Sequence, residues 1–359
     1  MTTSLVEKIA DAVLYEGYIL YPYRPSAVKN QQRWNFGALC PESYSLAQGG
    51  AESWTMETQC LVESRAATML AVKLRFLHLL TRAVSVPATD YGFRILELQA
   101  EDVPVEISAS DFRVVPSLEV NGKLLQTWQE ATEREVPLPP VNLAEVAGHP
   151  LRFEFSFPAS ETVELLRDDK SGERLGLLIR RQQAIAGAVE VTAEPIPNEA
   201  HKVSIRILNL TSLPDAGRQS RDDALLRSFV STHTILTVQD GEFVSLLDPA
   251  ETFREAASVC QNSGTYPVLV GEAGARDCML SSPIILYDYP QIAPESAGNL
   301  FDGTEIDEIL TLRIMTLTEA EKHEMRNADE RARQILERTE TLPMEQLLKM
   351  HGAMKGIKR

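Results

Sequence analysis

Four carboxylates stand within seven residues, at Asp302, Glu305, Asp307 and Glu308. Oxygen ligands at this density could hold a hard cation. However, Ile306 interrupts the run, and the alternating spacing of an EF-hand loop is missing. Two other readings stay open: a docking point for a basic partner, and a helix turn capped by Asp302 and Glu305 with the remaining charges in solvent. Just upstream lies Tyr287-Asp288-Tyr289-Pro290. A second unusual segment is Tyr21-Pro22-Tyr23-Arg24-Pro25, followed by Lys29, Asn30, Arg33, Trp34, Asn35 and Phe36. Aromatic rings interleaved with cations and amides give rigid area and directed hydrogen bonds, as recognition surfaces do. The alternative is an irregular loop whose rings plug the core and whose arginines cap carbonyls.

The common reaction signatures are missing. There is no G-x-x-x-x-G-K-[ST] loop, no G-x-G-x-x-G after a strand and no G-x-S-x-G elbow. Gly271 and Gly274 read as a turn. His323-Glu324 opens like H-E-x-x-H, but Asn327 stands where the second imidazole of a zinc site must be. Cys40, Cys60, Cys260 and Cys278 form no C-x-x-C pair and read as reduced, mostly buried thiols. The six histidines are isolated in sequence, so any catalytic constellation would have to assemble in space. No metal and no cofactor is expected.

These segments must be positioned by a chain of 359 residues, 44% hydrophobic and 24% charged, long enough for a full core. The net charge of −16 disfavours nucleic acid and anionic lipid. Met1 to Asp11 lacks a basic leader and an apolar core. The most apolar run, Ala66 to Leu80, contains Lys73, Arg75 and His78 and is too short to span a bilayer. These features predict a cytoplasmic chain with no membrane insertion.

Period-two alternation predicts strands around Trp54–Val62, Leu70–Phe76, Leu151–Phe157 and Val203–Leu210. Asn121-Gly122 and Asp240-Gly241 predict hairpins, the second joining Thr234–Val238 to Phe243–Leu247. Capping boxes at Ser4/Glu7, Ser220/Asp223 and Thr318/Glu321 predict helix starts, as does Asp248-Pro249. After Thr318, Met325, Ala328, Ala332, Ile335 and Thr339 follow the spacing of one long helix, with a shorter helix beyond Pro343. The expected fold is α+β, predominantly antiparallel and sandwich-like, with short inserted helices and a C-terminal helical extension. Pro195 to Pro197 reads as a linker, which gives a β-rich region 1–195, an α+β region 198–317 and a helical region 318–359.

Two blocks also carry a family resemblance. Leu20-Tyr21-Pro22-Tyr23-Arg24 with Asn30 and Arg33-Trp34-Asn35-Phe36-Gly37 forms the opening block. Pro283-Ile284-Ile285-Leu286-Tyr287-Asp288-Tyr289-Pro290-Gln291-Ile292-Ala293-Pro294-Glu295-Ser296, with Leu300-Phe301-Asp302-Gly303-Thr304-Glu305-Ile306-Asp307-Glu308, forms the closing block. Together they resemble an uncharacterised bacterial family associated with the gene neighbourhoods of uptake nickel–iron hydrogenases. The chain lacks the paired C-x-x-C motifs of a large subunit and the cysteine sets of a small subunit. The resemblance therefore implies an accessory role, with a hydrogenase subunit or maturation factor as protein partner and no catalytic residues carried over. Contact candidates are Tyr21, Tyr23, Arg24, Arg33, Trp34, Tyr287, Asp288, Tyr289, Asp302, Glu305, Asp307 and Glu308. Two further readings compete. One is a β-domain protein that forms a homo-oligomer through Leu336, Leu347 and Leu348. The other is an enzyme whose site assembles from distant residues such as Tyr287, Asp288 and Glu305.

Overall fold

The computed structural model describes residues 2–14, 36–88, 111–291, 314–328 and 330–341. Its spine is β1, Thr55–Pro87, a single strand of 33 residues. The two alternating runs read as separate strands both belong to it. Met56, Cys60 and Val62 share one parity with Leu70, Val72, Leu74 and Phe76, and all line the main core. Kept straight, β1 would run roughly 110 Å, about twice the ~53 Å width of a compact chain of this size. It bends instead, with register irregularities between Ser64 and Met69 and between Arg75 and Leu77.

The bend lets one strand serve six partners, all antiparallel. Along one edge lie β11 (Ala200–Asn209), β6 (Val141–Asn142), β5 (Trp128–Pro137) and β2 (Phe112–Val115). Along the other lie β12 (Val230–Val244) and β9 (Arg174–Gln182). The sheet continues outward through β14 (Cys278–Ser282) and β13 (Tyr266–Leu269) on one flank. On the other flank it continues through β10 (Ile185–Ile196) and β7 (Leu151–Phe157), while β8 (Ser160–Arg167) joins β9. The result is one curled 12-stranded sheet around its own apolar core. The fold is thus α+β and rich in antiparallel strands, as expected, and its core is enclosed by curling of one sheet. Helix α1 (Thr2–Leu14) covers the outer face of β12, β13 and β14. Short helix α2 (Glu42–Ala47) precedes β1, and α3 (Leu143–Val146), α4 (Arg221–Leu225) and α5 (Arg254–Ser258) lie between strands.

Local signals succeed where nothing distant competes. Asn121-Gly122, with φ of 52° and 74°, turns β3 (Ser117–Val120) into β4 (Lys123–Gln126). Ser220 and Asp223 form the capping box of α4. Asp240-Gly241 behaves otherwise: β12 runs on through it, so no hairpin forms and the dipeptide lies opposite a bulge in β1. Four β1 residues, 65–68, lie opposite Asp240, and Thr68 Oγ1 donates to the Asp240 carbonyl at 2.6 Å. A Cβ on Gly241 would sit 2.7 Å from the Thr68 methyl. Asp248-Pro249 precedes a 3-10 turn, and α5 starts only at Arg254. α1 begins at Thr2, so Ser4 lies within the helix and not at its start.

Two larger expectations are corrected. Pro195–Pro197 is no linker: Ile196 pairs with Ala200 in the β10–β11 hairpin, and β1 bonds to β5 and β9 before that turn and to β11 and β12 after it. The sheet therefore does not divide at residue 195. The long C-terminal helix is instead two helices, α6 (Glu319–Ala328) and α7 (Glu330–Thr341), folded back on each other. Arg326 Nη2 meets Glu340 Oε2 at 2.9 Å, whereas in one straight helix these residues would stand about 21 Å apart. The Thr318/Glu321 box does open α6, the Thr318 N–H donating to Glu321 Oε2 at 2.7 Å. Leu336, read as an oligomer contact, is fully buried within this chain; Leu347 and Leu348 lie outside the described residues.

Candidate functional site

The last residues of the opening block are fixed to the core. Residues 36–39 run beside the start of β12: Ser231 N–H donates to the Phe36 carbonyl at 2.9 Å, Thr232 N–H to Gly37 at 3.1 Å, and Leu39 and Phe229 exchange both backbone bonds. The Asn209 side-chain amide bonds the carbonyls of Leu39 (2.7 Å) and Arg227 (2.9 Å). Phe229 is buried against Phe76, with ring centroids 4.6 Å apart.

The start of the closing block arrives at the same place. Pro283 follows β14 directly and packs on Gly37, where a Cβ would lie 2.7 and 2.9 Å from the proline ring and 3.1 Å from Thr232 N. Gly37 also holds φ of +52°, a conformation that costs a side chain about 1–2 kcal/mol. Glycine is therefore needed twice over at this crossing. From Pro283 the side chains alternate: Leu286 is buried, while Ile285 (74%) and Tyr287 (83%) are among the most exposed large side chains in the molecule. Phe36, at 44%, adds a third on the opening side of the crossing.

Asp288 and Tyr289 turn back to the sheet. Asp288 Oδ2 accepts from Ser245 Oγ at 2.5 Å and Oδ1 from Leu269 N–H at 2.8 Å. Tyr289 N–H donates to the Leu269 carbonyl at 2.7 Å, and the ring packs on the core. Tyr289 holds φ of +55°, unusual for a bulky residue and a store of local strain. The pair closes the outer edge of β13. Val270 directs its N–H to Cys278 of β14, so Leu269 and Pro267 face outward. Leu269 is satisfied by the two residues above, and Pro267 has no N–H to offer. This is edge protection by proline and by covering. Replacing Asp288 by Ala leaves the buried Leu269 donor unpaired. An expected cost of about 1–3 kcal/mol shifts the urea midpoint down, and light scattering rises as the edge opens. An unchanged midpoint and unchanged scattering would contradict this role.

Among the contact candidates, then, Tyr287 is presented to solvent, and Asp288 and Tyr289 hold the segment that presents it. Tyr21, Tyr23, Arg24, Arg33 and Trp34 lie outside the described residues, as do Asp302, Glu305, Asp307 and Glu308. Gly37, Pro283 and Ile285 join the site without being contact candidates, although all three stand in the two blocks. The clue was the alternation Ile285, Tyr287 after a proline.

Neither a protein-family model nor a curated protein sequence matches this chain.

Ser64 Oγ and His201 Nδ1 meet at 2.6 Å, and burial pushes the imidazole pKa down. A nucleophile of this kind needs free amides for an oxyanion. Here Ser64 N–H is bound to the Glu199 carbonyl (2.8 Å) and Arg65 N–H to Thr68 Oγ1 (2.7 Å). The pair instead ties β1 to β11 beside the bulge. Asp288, a candidate acid or base in the enzyme reading, has both oxygens committed. Among the described residues no group of three or more His, Cys, Asp or Glu is placed to hold a metal ion, and no helix is long and apolar enough to cross a membrane.

Proposed function

We propose that this chain is a non-enzymatic cytoplasmic accessory protein that acts by contact with another protein, in the assembly of an uptake nickel–iron hydrogenase. One observation carries the reading: the two blocks that bear the family resemblance cross at Gly37 and Pro283, with Phe36, Ile285 and Tyr287 exposed around the crossing. Exposed aromatic and aliphatic side chains on a rigid base are what a contact surface needs, because little freedom is lost when they are covered. The strain held at Tyr289 and the glycine required at position 37 fit a segment whose conformation is kept for use.

The reading is tested in a strain lacking the gene. Hydrogenase activity and the amount of processed hydrogenase subunit are expected to fall together, and a copy carrying Tyr287→Ser and Ile285→Ser should fail to restore them. Normal hydrogenase content and activity in the deletion strain would overturn the proposal.

A further inference from the structure

The sheet face beneath α1 is built to read a helix of a definite kind. Val6, Ile9, Ala10 and Val13 of α1 pack on Ile235, Val268, Val270 and Leu280. Leu286 of the closing block is buried in the same cluster, so this face adjoins the exposed Ile285 and Tyr287. Beside the apolar stripe, Glu7 and Asp11 meet Lys73 (3.7 Å) and Arg75 (2.7 Å) of β1. The spacings match: four residues of helix rise about 6 Å, and two residues of strand about 6.6 Å. Lys73 also meets Glu135 of β5 at 3.9 Å, and Arg75 meets Glu135 at 2.9 Å and Glu133 at 3.6 Å, so the helix carboxylates join a shared ion-pair network at the side of the apolar stripe.

The fit of α1 itself is incomplete. The buried His233 Nε2 and Ser231 Oγ, on the β12 stretch that pairs with β1 around Arg75, have no hydrogen-bond partner. Unsatisfied buried groups lower the cost of opening. A helix of 13 residues is also marginal without its packing.

We propose that α1 is the resting occupant of a helix-binding groove, and that an amphipathic helix of the partner, with carboxylates four residues apart beside an apolar stripe, displaces it. This rests on the contact reading above and names the partner's chemistry. The tests use no hydrogenase protein, so their failure would leave that reading standing.

Hydrogen exchange on the full chain is the first test. Amides of α1 are expected to exchange at least about 100-fold faster than those of Val203–Ile207 in β11, through local opening. Equal protection of α1 and β11 would overturn the proposal. The second test is capture of a labelled Thr2–Leu14 peptide by the full chain carrying Ile9→Glu, which unseats the resident helix. Binding should be at least about ten-fold tighter than to the unmodified chain, a difference of about 1.4 kcal/mol, and should be lost when the peptide carries Asp11→Lys. A folded Ile9→Glu chain that takes up no peptide, or takes up both peptides alike, would overturn it. If Ile9→Glu prevents folding, the exchange comparison decides alone.

Discussion

Stability is expected to fall steeply between pH 6.5 and pH 4, because two histidines are stored neutral inside the protein. His78 and His233 are both fully buried. Burial pushes the pKa of each from 6.5 to about 4. The Arg134 charge adds to the effect at His78. At His233 the bond to the Ser231 carbonyl and the charge of Asp11 oppose it, while Arg75 reinforces it. In the unfolded chain both rings take a proton below pH 6.5, but in the folded protein only below about pH 4. The unfolded state therefore binds more protons in this window, and the stability present above pH 6.5 is progressively lost. Each ring accounts for roughly 3 kcal/mol at 1.36 kcal/mol per pH unit. Together they approach half or more of a typical total of about 5–15 kcal/mol. Urea midpoints measured from pH 7 to pH 4.5 check this. His78→Leu with His233→Asn should flatten the profile, the asparagine keeping a donor for the Ser231 carbonyl. A double variant that loses as much stability on acidification as the unmodified chain would exclude these residues as the cause.

The second large effect is expected at Gly37. Alanine there meets the Pro283 ring at 2.7 Å while holding φ of +52°. Left-handed backbone and overpacking together cost about 3 kcal/mol. Gly217, where a Cβ meets nothing within 4 Å, is the control. Gly37→Ala should lower the urea midpoint and weaken the recovery of partner proteins, with Gly217→Ala changing neither. Equal midpoints for the two variants would mean that the crossing at Pro283 is not tight.

The β-rich architecture was legible because alternation along β1 is a local property, fixed by which face meets the core. What decided the errors was distant. Asp240-Gly241 carries a hairpin signal, yet β12 runs on through it because the dipeptide packs against Thr68 in the bulge of β1. The helical spacing after Thr318 continues across the reversal between α6 and α7. Only the pairing of Arg326 with Glu340 reveals that the chain turns back. Pro195–Pro197 looked like a linker because prolines end strands, yet the residues beyond them return along β10. The site was legible in part. Both blocks stood out by composition, and Tyr287 is exposed. That Phe36-Gly37 and Pro283 meet depends on β12 and β14 lying side by side, which no local pattern encodes.

The most direct test of the contact surface is recovery of native partners on the tagged full chain, quantified by mass spectrometry. Hydrogenase subunits or maturation proteins should come with the unmodified chain. Their recovery should drop by about ten-fold, close to 1.4 kcal/mol of binding, when Ile285→Ser and Tyr287→Ser are introduced without change in the urea midpoint. Equal recovery on both chains, or no hydrogenase protein on either, would contradict the account.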